Sequence, residues 1–229
     1  MRLGALLTGL ALAISGQAAA RPVLIELFTS QGCDSCPPAD ALLGELAQRP
    51  GVFALAWHVD YWDGLGWKDP FSSALATHRQ YDYARRLGLD NVYTPQLVID
   101  GAAETVGSDA HAADVAIAAA AARSVEGPSL AVVPGSDGAA QIALGAGVKT
   151  PSSVWLIGYE RRQTTAIGRG ENAGRSLTEY QVVRRAVRLG GWTGEEVTLN
   201  LPEKEGEAEL VVVEPDAPGP MLGLLDLAR

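Results

Sequence analysis

The chain contains little cysteine, histidine or basic charge for its length. Its 229 residues include two cysteines and three histidines, and 18 basic residues stand against 27 acidic ones. The net charge of −9 argues against nucleic acid and anionic membrane as partners. A structural zinc ion needs four ligands, usually cysteine and histidine. We therefore predict no metal site of that kind.

Long hydrophobic runs are also scarce. One short apolar run, residues 3–14, follows Arg2 and precedes three consecutive alanines at 18–20. This order is typical of a secretory signal peptide, and the apolar run is too short for a membrane span. We predict a signal peptide over residues 1–20, a periplasmic or secreted protein, and no membrane span in the rest of the chain.

Both cysteines lie in one motif, Cys33-Asp34-Ser35-Cys36, between an apolar run at residues 23–28 and a helical pattern. A helix N-terminus stabilises a thiolate, and this spacing lets the second sulfur attack a mixed disulfide on the first. A four-residue ring also gains little from loop-closure entropy. We predict a redox pair, with Cys33 as the exposed nucleophile and Cys36 as the resolving thiol. A permanent disulfide and a copper(I) pair remain alternatives.

Apolar spacing predicts alternating strands and helices as far as Gly127. The expected order is strand 23–28, a helix over 39–47, strand 52–59, a helix from Asp69 and Pro70 to Leu87, strand 96–99, a strand at 105–106 and a helix from 108 or 109 to about 123. A loop at residues 60–69 interrupts this pattern. We predict an α/β domain over residues 21–127.

After Pro128 the helical period disappears. Short strand patterns take its place at 130–133, 139–144, 154–159, 164–167, 180–189, 197–201 and 209–213. Regular short strands separated by turns predict a smaller antiparallel, sandwich-like β-rich domain over residues 128–229. The glycine-rich run at 168–175 fits neither nucleotide-binding pattern and is interpreted as a β connection that docks on the first domain.

The order of elements in the first domain resembles the thioredoxin fold. In that superfamily an X-Pro bond before the third strand is cis and faces the cysteines, which implies the same for Thr94-Pro95. Thioredoxins also bury an acidic residue behind the second cysteine, which Glu26 resembles. For Glu26 the alternative is a solvated or ion-paired residue at an edge.

Four motifs extend this resemblance over nearly the whole mature chain. They are FTSQGCDSCPPAD at 28–40, HVDYWDGLGWKDPF at 58–71, YTPQLVIDG at 93–101 and GENAGR at 170–175. Together they resemble a family of secreted bacterial thioredoxin-like proteins that is carried as a domain of unknown function (family 1223). The resemblance implies a fold and an exported location, but no substrate.

The loop at 60–69 is rich in aromatic residues. Tyr61, Trp62 and Trp67, together with Thr94, are predicted to bind substrate next to the cysteines. Packing of one domain on the other is the alternative for the tryptophans. His58 follows a buried strand and is interpreted as a structural histidine.

We therefore expect an exported thiol-disulfide oxidoreductase that acts on protein or peptide thiols. Cys33, Cys36, Pro95 and Glu26 are its predicted catalytic residues. It needs a redox partner protein and no bound cofactor. The alternative is a non-catalytic thioredoxin-fold module, whose cysteines bind copper(I) or form a structural disulfide.

Overall fold

A computed structural model describes residues 21–136 and 138–227. The predicted signal peptide lies outside the described residues. The first half of the chain contains β1 (Val23–Thr29), α1 (Pro37–Leu46), β2 (Val52–His58), α2 (Ala74–Leu87), β3 (Gln96–Ile99), β4 (Ala103–Val106) and α3 (Ala110–Ala121). The second half contains β5 (Leu130–Pro134), β6 (Ala140–Leu144), β7 (Ser152–Ala166), β8 (Ser176–Trp192), β9 (Val197–Asn200), β10 (Ala208–Pro215) and β11 (Gly223–Asp226). The fold is mixed α/β, with a large, mostly β sheet and few helices.

The main sheet has eight strands in the order β11-β10-β7-β8-β2-β1-β3-β4. Strand β2 is parallel to β1 on one side and to β8 on the other. Strands from both sides of the predicted boundary at Gly127 therefore share one sheet. A second sheet, β5-β6-β9, buries Ile142 and Leu144 in one core with Val154 and Val211 of the main sheet.

Strand β1 is buried on both faces, because successive side chains alternate between two helices. Ile25 and Leu27 belong to the core that also contains Leu43 of α1. Leu24 and Phe28 belong to the core that contains Tyr83 of α2. The sheet therefore has an α1 face and an α2 face, and residue parity along β1 decides which one a side chain meets.

Helix α2 begins at Ala74, so the prediction that it starts at Asp69 and Pro70 is wrong. Ser73 is the N-cap, and its hydroxyl accepts a hydrogen bond from the Ala76 amide at 3.2 Å. The Asp69 carboxylate instead accepts hydrogen bonds from the Gln31 and Phe71 amides. Within the described residues, no helix is long and apolar enough to cross a membrane.

Candidate functional site

Cys33 and Cys36 form a disulfide between the end of β1 and the start of α1. Cys36 is the N-cap residue, and Pro37 and Pro38 fill the first turn of α1, where no amide hydrogen bond is lost. The predicted pair is therefore present at a helix N-terminus. Both cysteines are 0% exposed, so the expectation of an exposed Cys33 is wrong for the oxidised state.

The aromatic loop, residues 60–69, covers one side of the disulfide segment. A side chain at Gly32 would place its Cβ 3.0 Å from the Trp62 Cβ, so Gly32 lies close to Trp62. The Trp62 indole donates to the Thr94 hydroxyl at 2.9 Å, and the Trp67 indole donates to the Gln31 side chain at 3.0 Å. Both tryptophans therefore hold the loop against residues of the site.

Tyr61 lies at the outer edge of the aromatic loop. Its side chain is 39% exposed, and its hydroxyl donates to the Gln80 side chain at 3.2 Å. Partial burial raises the pKa of the phenol to about 12, so Tyr61 remains neutral at physiological pH. Among the predicted substrate-binding aromatics it is the one with a large exposed ring.

The glycine-rich loop, residues 168–175, covers the other side. Asn172 is completely buried, and its amide group donates to the carbonyl oxygens of Gln31 and Cys33 at 3.0 and 2.9 Å. The Arg175 guanidinium in turn donates to the side-chain oxygen of Asn172 at 2.9 Å. The interpretation of this run as a β connection that docks on the first domain is confirmed. Its position at the cysteine segment was not predicted.

The Thr94-Pro95 peptide bond is cis, in agreement with the expectation. Pro95 packs beside Gly107, which leaves no room for a side chain. A Cβ added at Gly107 would lie 3.0 Å from the Pro95 Cβ and 3.1 Å from the Cβ of Ala39 in the first turn of α1. Pro95 therefore lies near the first turn of α1, which Cys36 caps.

Asp40 lies one helical turn after Cys36, on the side of α1 that faces the sheet. Its amide donates to the Cys36 carbonyl at 3.1 Å, and its carboxyl accepts from the Thr29 hydroxyl at 2.8 Å. Burial raises the pKa of Asp40 to about 7, although the nearby charge of His58 acts to lower it. The sequence analysis did not identify Asp40 as a site residue.

His58 and Asp69 form a second buried pair behind the disulfide segment. The His58 Nδ1 and Asp69 Oδ2 atoms are 2.7 Å apart, and both side chains are 1% exposed. Burial alone would lower the pKa of His58, but the Asp69 carboxylate raises it above its usual value. Burial would likewise raise the pKa of Asp69, but His58 and amide hydrogen bonds hold it below its usual range. The prediction of a structural histidine missed this ionisable partner.

Glu179 of β8 is the fourth ionisable group of the cluster. It accepts a hydrogen bond from the Gln31 side chain at 2.9 Å, and burial raises its pKa. Three acids and one histidine therefore lie on the α1 face behind the cysteines. Among the described residues, no group of three or more histidine, cysteine or acidic side chains is arranged to hold a metal ion.

Glu26 is not part of this cluster. It has the parity of Leu24 and Phe28 and therefore lies on the α2 face, where Arg79 pairs with it at 2.6 Å and Tyr83 donates to it. Glu26 is therefore ion-paired, as in the alternative interpretation, but it lies in a buried central strand and not at an edge. The proton-shuttle interpretation of Glu26 loses its geometric basis, because α1 packs on the opposite face.

Comparison with known proteins adds a family and two similar structures. The family model described as "Protein of unknown function (DUF1223)" matches residues 24–214. A crystal structure of an Agrobacterium tumefaciens protein from a structural genomics consortium is 28% identical, with a TM-score of 0.77 over 93% of this chain and 97% of that one. HBP35 of Porphyromonas gingivalis is 12% identical, with a TM-score of 0.58 over 92% and 76% of the two chains, and this likeness shows the fold alone. No curated protein matches the chain.

Proposed function

The chain belongs to the DUF1223 family of unknown function, and we propose that it is an exported thiol-disulfide oxidoreductase on a thioredoxin-like scaffold. One observation carries this proposal. The Cys33–Cys36 disulfide begins a helix whose next turn holds Asp40, a buried carboxyl with a pKa of about 7. We infer that a proton donor that titrates near neutral pH, one helical turn from the second sulfur, assists disulfide exchange, because that sulfur leaves as a thiolate.

The proposed reaction transfers two electrons from a protein or peptide dithiol to the disulfide. A substrate thiolate attacks the Cys33 sulfur, the Cys33–Cys36 bond breaks, and Cys36 leaves as a thiolate. The second substrate thiol then loses its proton and displaces Cys33. The substrate ends as a disulfide and the protein pair as two thiols; the reverse reaction reduces a substrate, and a redox partner protein restores the pair.

Asp40 takes the role that the sequence analysis gave to Glu26. When Cys36 leaves, the protonated Asp40 carboxyl supplies the proton that neutralises its thiolate. In the reverse direction the Asp40 carboxylate removes that proton, so that Cys36 attacks a mixed disulfide at Cys33. The i to i+4 spacing along α1 supports this role, because it puts both residues on one side of the helix.

Access to Cys33 requires a change in its cover. Asn172 and Trp62 hold the two covering loops by a small number of hydrogen bonds. We propose that a peptide substrate displaces part of this cover when it binds, with Thr94, Tyr61 and Trp67 at the rim. Exclusion of bulk solvent from the buried pair would then limit exchange to substrates that bind.

The test uses two single-cysteine variants and glutathione disulfide as the probe. Cys36→Ser leaves Cys33 free to form a mixed disulfide that cannot be resolved, which we expect to accumulate and to be visible by mass. Cys33→Ser leaves only Cys36, which lies against α1 and should react at least about tenfold more slowly. Both variants in urea serve as the control, where the two thiols should react alike. Failure of folded Cys36→Ser to react, or equal rates for the two folded variants, would contradict the proposal.

A permanent structural disulfide is the second candidate. The 0% exposure of both cysteines favours it, because a buried disulfide is protected from exchange. In that case the thioredoxin-like scaffold binds a partner without turnover. Such a protein would keep its disulfide at potentials that reduce known exchange enzymes.

A further inference from the structure

Two buried polar atoms behind the disulfide have no hydrogen-bond partner. They are the Nε2 atom of His58 and the Oε2 atom of Glu179. His58 is 2% exposed and Glu179 is 1% exposed, so neither atom is turned toward bulk solvent. Leaving a buried polar atom unpaired is unfavourable, which makes such atoms candidates for a functional role.

The strand register brings His58 next to Asp40. Thr29 of β1 is paired with His58 of the parallel strand β2, so the two side chains are neighbours on the same face of the sheet. The Thr29 hydroxyl donates to the Asp40 carboxyl, which comes down onto this face from α1. Asp69 holds the Nδ1 atom of His58, so Nε2 is the ring nitrogen that is left without a partner.

The charged neighbours of His58 come from three different elements. Asp69 lies in the loop after β2, Asp40 in α1 and Glu179 in β8, and all three interact electrostatically with the imidazole. The ring of Phe71 packs edge-on against it at 5.4 Å. A single histidine therefore faces three acids, and its protonation is coupled to theirs.

We propose that His58 is a positioning residue for the redox pair, whose buried charge stabilises the carboxylate that Asp40 becomes in each catalytic cycle. This inference rests on the proposed function, since Asp40 must first exchange a proton with Cys36. When Cys36 leaves as a thiolate, Asp40 gives its proton to that thiolate, and the His58 imidazolium stabilises the Asp40 carboxylate that remains. Asp69 keeps the ring oriented, and Glu179 opposes the Asp40 carboxylate.

Two substitutions should move the titration of Asp40 in opposite directions. His58→Gln removes the positive charge that favours the Asp40 carboxylate, so the pKa of Asp40 should rise by about one unit. Glu179→Gln removes a negative charge that opposes the carboxylate, so the pKa of Asp40 should fall. A purely structural role for either residue gives no reason for opposite signs.

The measurement is the infrared carbonyl stretch of protonated Asp40 in the oxidised protein, followed from pH 5 to pH 9. The band is assigned by its loss in Asp40→Asn. His78→Gln and Glu45→Gln, which change exposed residues on α2 and α1, are the matched controls and should leave the titration unchanged. Circular dichroism at each pH shows that every variant remains folded.

A second readout separates this inference from the proposed function. It is the rate at which glutathione disulfide oxidises the reduced protein, over the same pH range. Opposite shifts of both the infrared band and the rate profile would support this role of His58. Shifts of the same sign, or none, in a protein that still exchanges disulfides would overturn the role of His58 alone. Absence of exchange in the unsubstituted protein would overturn the proposed function and the role of His58 with it.

Discussion

The two faces of the main sheet bury charge in different ways. On the α2 face, Arg79 pairs with Glu26 and with Glu214 of β10, and Arg86 also pairs with Glu214. Each buried carboxylate there has a guanidinium partner, so no proton is shared. Burial alone would lower the pKa of Arg79, but Glu26 and its other partners hold it above its usual value.

On the α1 face three acids share one histidine. Asp69 takes the imidazole as its partner, while Asp40 and Glu179 have only hydroxyl or amide donors. A carboxyl without a fixed cation remains protonated to higher pH, which explains the pKa of about 7 for Asp40. The α2 face therefore holds fixed ion pairs. The α1 face, beside the cysteines, holds in Asp40 a carboxyl that titrates near neutral pH.

The largest expected effect comes from removing the ion pairs of Arg79 on the α2 face. Arg79→Met deprives the buried Glu26 and Glu214 carboxylates of this partner, and we expect the free energy of unfolding to fall by about 3–5 kcal/mol. The pH profile of disulfide exchange should not move. Urea unfolding checks the first expectation, with Arg85→Met as the control, because Arg85 pairs with Asp82 on the exposed side of α2. A control loss above about 1 kcal/mol would show that the assay does not isolate the buried pair.

The next effect comes from removing the titrating carboxyl. Because the pKa of Asp40 is raised in the folded state, the protein loses stability as the pH rises from about 4 to about 7. Asp40→Asn removes this loss, so the variant should gain up to about 4 kcal/mol relative to the unsubstituted protein over this range, at about 1.36 kcal/mol per pKa unit. Urea unfolding at several pH values checks the sign. A parallel pH dependence in the two proteins would contradict the burial of a neutral Asp40.

A smaller effect tests whether the glycine-rich loop covers the disulfide. Asn172→Ala removes two hydrogen bonds to the Gln31 and Cys33 carbonyls and should cost about 2 kcal/mol. We also expect dithiothreitol to reduce the disulfide faster, because the glycine-rich loop is held less tightly. Alkylation of the released thiols measures this rate. Asn200→Ala, which removes an exposed contact to Gln141, is the matched control. An unchanged reduction rate would mean that this loop does not limit access.

The smallest effect concerns the aromatic loop. Trp62→Phe keeps an aromatic ring but removes the hydrogen bond to Thr94, at a cost of about 1 kcal/mol. If Trp62 binds substrate through its ring, the KM for a peptide substrate should change little. A large increase in KM with no loss of stability would assign the indole N–H to substrate binding instead.

Much of the first half of the fold was predictable, because local patterns determine it. The order of elements from β1 to α3 follows from apolar spacing, and the two cysteines marked the start of α1. The start of α2 was not predictable, since Asp69 looks like a helix cap until its pairing with His58 is known. A strand that is buried on both faces shows no polar alternation, so nothing in the sequence places Glu26 on one face.

The second half was less predictable, since its pairings are long-range. The strand patterns at 154–159 and 164–167 are parts of one strand, β7, and β11 was missed. The parallel pairing of Ala56 with Val182 joins residues far apart in the chain. Asn172 reaches the cysteine segment from 139 residues away. Contacts of this kind leave no local pattern, so the cover of the disulfide appears only in the folded structure.

The reduction potential of the Cys33–Cys36 pair tests the central claim most directly. Purified protein is equilibrated in graded thiol-disulfide buffers, and the alkylated thiols are counted by mass. We predict a reduction potential within the range of known exchange enzymes, roughly −120 to −270 mV. A pair that stays oxidised below about −300 mV would contradict it and would identify the disulfide as a structural one.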